Sequence, residues 1–316
     1  MDTLERIAKD TKRHVFSHMR RTRAGKYDGI LTGLEYFKYF MLIQTKGNVP
    51  EAIRRGNLLV SYYVLNRFID DIVDKDAELP TSAGSREEYV EQRLAFASNP
   101  VSPLDTADFL TLYCYQQAAK LGFSIYEETL SIFQSMLFDA KRIEATESKG
   151  VGLIFPEQEL MHNFYLCDIE GTGKALLKLL GDASERVSLV VPIGIADRIK
   201  LTLKDLVADV KVGLINISQE DMEKYGISTS DMSRMTALSS LPLEGETMVP
   251  ALGALPQDVR AWTRDQAVRG LKLIAETQEI VRTHPFNLSE KLILRFVYGG
   301  PSERYFQRVL GALSAV

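Results

Sequence analysis

Two aspartate pairs share one spacing. In Arg67-Phe-Ile-Asp70-Asp71-Ile-Val-Asp74 the outer carboxylates are four residues apart, and Lys204-Asp205-Leu-Val-Ala-Asp209 repeats the interval. On a helix each pair occupies one face. Both pairs lie among apolar residues, where carboxylates are costly to bury unless a cation meets them. Hard oxygen donors of this kind suit Mg²⁺, which is often held by a few carboxylates plus substrate phosphate. Such an ion neutralises the charge that grows on a departing diphosphate, and Arg67 can add a bidentate phosphate contact. The cation left behind by an allylic diphosphate needs a dry pocket with aromatic faces. The 14 Phe and 13 Tyr can supply one. A single DxxxD is usually a solvated helix face. Two of them, each set in an apolar helix and each flanked by basic residues (Lys200 and Lys211 beside the second), argue for a cation site.

The elements that must position these pairs are helical. Residues 53–74 place Leu58, Leu59, Tyr62, Tyr63, Leu65, Phe68, Ile69, Ile72 and Val73 at mixed spacings of three and four. The same period runs through 103–121, 124–147, 156–181, 184–212, 257–283, 286–298 and 301–314. Breaks are expected at Pro50, Pro80 with Gly84, Pro100 and Pro103, Gly122, Gly150 with Gly152, Gly181, Gly213, Pro285 and Gly299-Gly300-Pro301. No series of alternating segments with Asn-Gly or Asp-Gly turns predicts a sheet. Residues 213–256 are rich in Ser, Thr, Met, Pro and Gly and read as a surface excursion or lid, with short helical pieces at 218–225 and 230–237. The stretch 75–103 reads as a shorter excursion. The expectation is one all-α domain over 1–316, of roughly ten helices.

Bulk properties narrow the class. The chain is 45% hydrophobic and 25% charged, an ordinary globular composition, and its net charge of -4 disfavours non-specific nucleic-acid binding. Cys114 and Cys167 form no zinc pattern and no disulfide framework, which points to a reducing, cytoplasmic setting. The opening MDTLERIAKDTKRHVF is charged and amphipathic and reads as no targeting segment; no apolar run is long enough to span a membrane.

The run YYVLNRFIDDIVD resembles the first aspartate motif of the squalene/phytoene synthase family, an apolar helix ending R-x-x-D-D-x-x-D. Tyr165-Leu-Cys-Asp-Ile-Glu-Gly-Thr-Gly173 is similar to that family's Y-C-Y-x-V-A-G-T-V-G helix. The segment from Ile193 to Asp209 resembles its L-G-x-A-x-Q-x-x-N-x-x-R-D-x-x-x-D helix. Order and spacing agree across roughly residues 55–225. The resemblance implies the all-α isoprenoid-synthase fold and Mg²⁺ held by Asp70, Asp74, Asp205 and Asp209 converging on a central cavity. It also implies Arg67 at the diphosphate and Tyr165 facing the reaction centre; Arg198 and Lys204 are further candidates for diphosphate contact by their charge.

The departures from that pattern matter. Leu201 stands at the family's metal-binding Asn, Arg198 at its Gln and Lys204 at its Arg, which keeps charge but loses the fork. A-G-T-V-G has become Glu170-Gly-Thr-Gly-Lys174, and G-R-x-Y-L-P reads Gly213-Leu-Ile-Asn-Ile-Ser218. The family's opening S-x-S-F…L-L-P helix is not recognisable near 32–49. The chain keeps the residues for one ionisation and alters those around the rest. It therefore resembles the small branch of squalene-synthase-like enzymes that prenylate aromatic acceptors, notably carbazoles, in natural-product pathways.

The expected reaction is transfer of a prenyl group, with dimethylallyl diphosphate as the expected donor, to an aromatic small molecule. The ring attacks the allylic cation, and Asp168, Glu170 or a diphosphate oxygen removes its proton. One alternative is head-to-head condensation of two farnesyl or geranylgeranyl diphosphates. Another is a non-catalytic assembly factor of the same fold, a class that tends to lose its aspartates. His14, His18, His162 and His284 read as ordinary core or surface histidines, Cys167 as a buried small hydrophobe, and Asp139, Lys141 and Arg142 as a solvated face from which Arg142 could reach a phosphate.

Overall fold

Every regular element among the described residues is helical. The computed structural model describes residues 3–22, 41–149, 152–182, 184–238, 243 and 248–316. The expected break at Gly150, residues 32–40 of the stretch where the opening helix would fall, the His18 side chain, and residues 239–242 and 244–247 lie outside that description. Among the described residues no helix is long and apolar enough to cross a membrane. The chain forms two compact units, Met1–Ala140 with Gly171–Arg186, and Lys141–Glu170 with Val187–Val316.

In the first unit, α1 (Thr3–Thr22) and α2 (Val49–Val73) are followed by α3 (Arg86–Ser98), α4 (Thr106–Lys120) and most of α5 (Tyr126–Lys149). Asn48 caps α2 by accepting from the Glu51 amide, with Pro50 in the first turn, where its missing N–H costs nothing. The apolar face of α2 buries Leu58, Tyr62, Leu65, Ile69 and Ile72, and α2 packs on α4. Each such side chain contributes about 1.5–3 kcal/mol when fully buried. Buried Arg93 on α3 pairs with Asp105 and Asp108, and the Tyr89 hydroxyl donates to Asp105 at 2.9 Å. Asp105 also caps α4, so the charge cluster ties two helices at one point. Later in the chain, α7 (Gly171–Leu180) rejoins this unit. Arg55 donates to the carbonyls of Lys178 and Leu179 at 3.1 and 2.9 Å, satisfying groups a helix C-terminus leaves open.

The second unit takes the end of α5, then α6 (Glu157–Met161), a π-helix over His162–Glu170, a 3₁₀ turn over Ser184–Leu189 whose last residues belong here, and α8 (Val191–Val212). After these come α9 (Gln219–Tyr225), α10 (Thr229–Ala237), α11 (Met248–Ala254), α12 (Gln257–Thr283), α13 (Leu288–Leu292), a second π-helix over Ile293–Gly299, and α14 (Gly300–Ser314). Helix α8 packs against α12 and the first π-helix. At Gly194 a Cβ would stand 2.3 Å from Ile169 Cγ2, so the close approach of α8 to the π-helix requires a residue without one. Helix α8 ends at Gly213 in the left-handed region (φ 88°), and a Cβ there would sit 2.0 Å from Thr146 Oγ1.

Several expectations are corrected. The 75–103 stretch holds a full helix, α3, rather than an excursion; Ser85 caps it by accepting from the Glu88 amide, and Tyr89, Val90, Arg93, Phe96 and Ala97 are buried. Residues 213–256, read as a surface excursion or lid, place Ile215, Ile217, Met222, Ile227, Met232, Met235, Leu252 and Leu255 in the core. Gly299-Gly300-Pro301 does not interrupt the chain's helical course: Pro301 falls in the first turn of α14, where a proline is tolerated. Arg142 is not on a solvated face. It is 1% exposed, with its guanidinium carbon 5.8 and 5.5 Å over the rings of Phe155 and Phe164.

Candidate active site

The first aspartate motif closes α2. Arg67 reaches along the helix to Asp70 and Asp71, three and four residues on, and to Asp76 at 3.3 Å beyond the helix end. These are the separations at which helical side chains meet. Asp71 is buried, Asp70 is half-buried, and Asp74 keeps an exposed edge. The surroundings nonetheless withdraw the Asp74 carboxyl from bulk water, and with the Asp70 carboxylate they push it up to about 8. Arg67 pulls the other way, and Asp139 and Asp76 add to the rise. Arg67, expected at a diphosphate, is engaged with carboxylates of its own motif.

The second motif lies on α8, with Lys204, Asp205 and Asp209 half-buried. Asp209 Oδ2 accepts from the Asn216 amide at 3.0 Å. Asn216 Oδ1 in turn accepts from Arg142 Nη2 at 2.9 Å, and the same nitrogen donates to the Ile215 carbonyl at 2.8 Å. The turn that brings Asn216 back to Asp209 is the Gly213 cap. Asp209 is therefore braced by an amide that is itself held by a buried guanidinium. Leu201, at the place of the family's Asn, lies one turn before Asp205 and is exposed.

The π-helix supplies the remaining candidates. Tyr165 is half-buried; burial raises its hydroxyl's pKa, and the guanidinium groups of Arg269 and Arg198 pull it back. It lines a cavity of about 60 Å³ with Phe164, Arg198, Asn216, Trp262 and Arg269. A space of that size is too small for an aromatic acceptor. Arg198 lies 4.0 Å above the Phe164 ring and 3.5 Å from Asp168, so one candidate base is paired with one candidate phosphate ligand. Tyr298, pushed up to about 12 by burial, lies near Asp168 as well. Glu170 is half-buried at the end of the π-helix. Cys167 is buried, with its sulfur 3.7 Å from His162 Nε2.

Among the described residues no three His, Cys, Asp or Glu side chains are grouped closely enough to hold a metal by themselves. The donors still fit Mg²⁺ in kind. Asp70 with Asp74 and Asp205 with Asp209 each give two hard oxygen ligands one turn apart, and Mg²⁺ ordinarily completes its shell with water and substrate phosphate. Burial and the carboxylates around Asp74 oppose its ionisation, which a bound cation would relieve. Sequence reasoning missed Asn216 and Arg142 as supports for Asp209. The signal was faint: an Asn where the family's segment has Tyr.

No protein-family model matches the chain, and no curated protein does. Solved structures do. Squalene synthase HpnC from Alicyclobacillus acidocaldarius superposes with a TM-score of 0.53 at 14% identity, over 98% of this chain and 93% of that one. A dehydrosqualene synthase in complex with ligand gives 0.52 at 13% identity, over 98% of both. The chain has the all-α isoprenoid-synthase fold of these structures.

Proposed function

We propose that the chain is a Mg²⁺-dependent prenyltransferase that ionises an allylic diphosphate and passes the prenyl group to an aromatic small molecule. The observation that carries this reading is the pair of DxxxD helices within an isoprenoid-synthase fold, one of them with its terminal carboxylate braced by Asn216 and Arg142. Asp70, Asp74, Asp205 and Asp209 would hold the metal, which would supply charge neutralisation at the departing diphosphate. Bracing fixes the Asp209 oxygen before substrate arrives, which avoids reorganisation during bond breaking. Lys204 adds positive charge near the leaving group. Arg67 would do so by exchanging a carboxylate for phosphate. Arg198 would leave Asp168 in the same manner, freeing that carboxylate to take the ring proton.

Head-to-head condensation is the second reading, and it is favoured by the two solved structures, a squalene synthase and a dehydrosqualene synthase. The two separate by donor and acceptor. With dimethylallyl diphosphate, Mg²⁺ and a hydroxylated carbazole, the first reading expects a prenylated carbazole. With farnesyl diphosphate, Mg²⁺ and NADPH, it expects no squalene-type hydrocarbon. Hydrocarbon formation without carbazole prenylation would replace the first reading with the second.

A further inference from the structure

At the C-terminal end of the second unit, the second π-helix, α12 and α14 enclose a concavity of about 660 Å³, inside the range of small-molecule sites. Its floor is apolar: Ile274 and Val281 come from α12, Leu294 from the π-helix, and Ile193 from the first turn of α8. Gly299 and Gly300 contribute no side chain to fill it. Lys291, Arg295 and Arg304 line it from above, all three exposed, against one carboxylate, Glu303. Among the described residues none of the three cations forms an ion pair. Among the described residues Glu303 accepts a long bond from Gln307, at 3.4 Å. Arg295 lies over the Phe296 ring, itself 63% exposed. An apolar floor beneath unbalanced positive charge is the complement of an amphipathic anion.

We propose that this concavity binds one phosphate-headed amphiphile from solution, with the head at Lys291, Arg295 and Arg304 and the tail along Ile193, Ile274, Val281 and Leu294. Concavity favours a single molecule over a bilayer surface, which needs a flat or convex apolar face. The site is distinct from the aspartate motif of the same unit: Ile193 and Asp205 are twelve residues apart on α8, about 18 Å along its axis. The inference goes beyond prenyl transfer and does not depend on it.

The test uses the full chain carrying Asp70→Asn and Asp205→Asn, in EDTA, so that no metal-dependent site contributes. Decyl phosphate titrated calorimetrically should bind one molecule per chain and weaken with salt. Arg295→Glu with Arg304→Glu should raise its Kd roughly tenfold or more, since charge-assisted bonds to phosphate are lost. Decanol and inorganic phosphate should each bind far more weakly than decyl phosphate. If the charge reversal perturbs folding by circular dichroism, Arg295→Gln with Arg304→Gln makes the same measurement. Unchanged affinity in the altered protein, or no binding in the parent, overturns the proposal. So does sedimentation with phosphatidylglycerol vesicles that depends on these arginines while decyl phosphate does not bind.

Discussion

On α2, Asp74 feels the carboxylates of Asp70, Asp76 and Asp139, while Arg67 pairs with Asp70 and Asp71. On α8, Asp209 is bonded to an amide that Arg142 holds in place. Equal spacing in sequence thus conceals unequal electrostatics. On the proposed reading the first pair would draw a cation because burial and neighbouring carboxylates oppose ionisation of Asp74. The second would suit one because Asn216 holds a carboxylate oxygen of Asp209 in place. A motif scan scores the two alike, yet they should fail differently when altered.

The largest effect is expected from the carboxylates themselves. Asp70→Asn and Asp205→Asn should each lower turnover on the order of 10²–10³-fold or more while melting near the wild type, since on the proposed reading each removes a metal oxygen. Retained activity in both would end the metal assignment. Asn216→Ala tests the bracing: it should raise the Mg²⁺ concentration for half-maximal diphosphate binding about 10–100-fold with a small change in melting temperature. An equal loss from disturbing Arg67 alone would erase the contrast between the two motifs. Gly194→Ala tests the packing that carries the second motif. Its Cβ would collide with Ile169, so thermal unfolding should show a loss of about 1–3 kcal/mol.

The smallest effect is a pH slope. Asp74 is raised in the folded chain, so between about pH 4 and 8 the native state binds a proton that the unfolded state has lost. In EDTA the wild type should therefore lose stability as pH rises through that window, and Asp74→Asn should flatten the decline. The exposed edge of Asp74 keeps the slope shallow. Thermal melts at matched ionic strength decide it; parallel curves would mean the carboxylate cluster is already balanced.

The helical architecture and both DxxxD pairs were legible because the three–four apolar period is strong and the acids interrupt it on one face. Helix α3 was hidden by flanking Pro80, Gly84 and Pro100 and by its charged surface, although Ser85 with Glu88 was a readable start signal. The π-helices left no trace, since one extra residue in a turn does not change composition. Arg142 looked solvated because its run is charged. Its burial depends on Asn216 and the Ile215 carbonyl, more than seventy positions away, and no local pattern encodes such a partner.

The Arg55 contact to Lys178 and Leu179 bears on how the polypeptide matures. The first unit includes Gly171–Arg186, made only after a portion of the second has been synthesised. A nascent chain leaving the ribosome must therefore keep α2 waiting, with Arg55 held by Glu51 but lacking those two carbonyls, until α7 emerges. Production in a fast-translating host should accordingly favour inclusion bodies, and slowing elongation or lowering temperature should recover more native material than adding Mg²⁺.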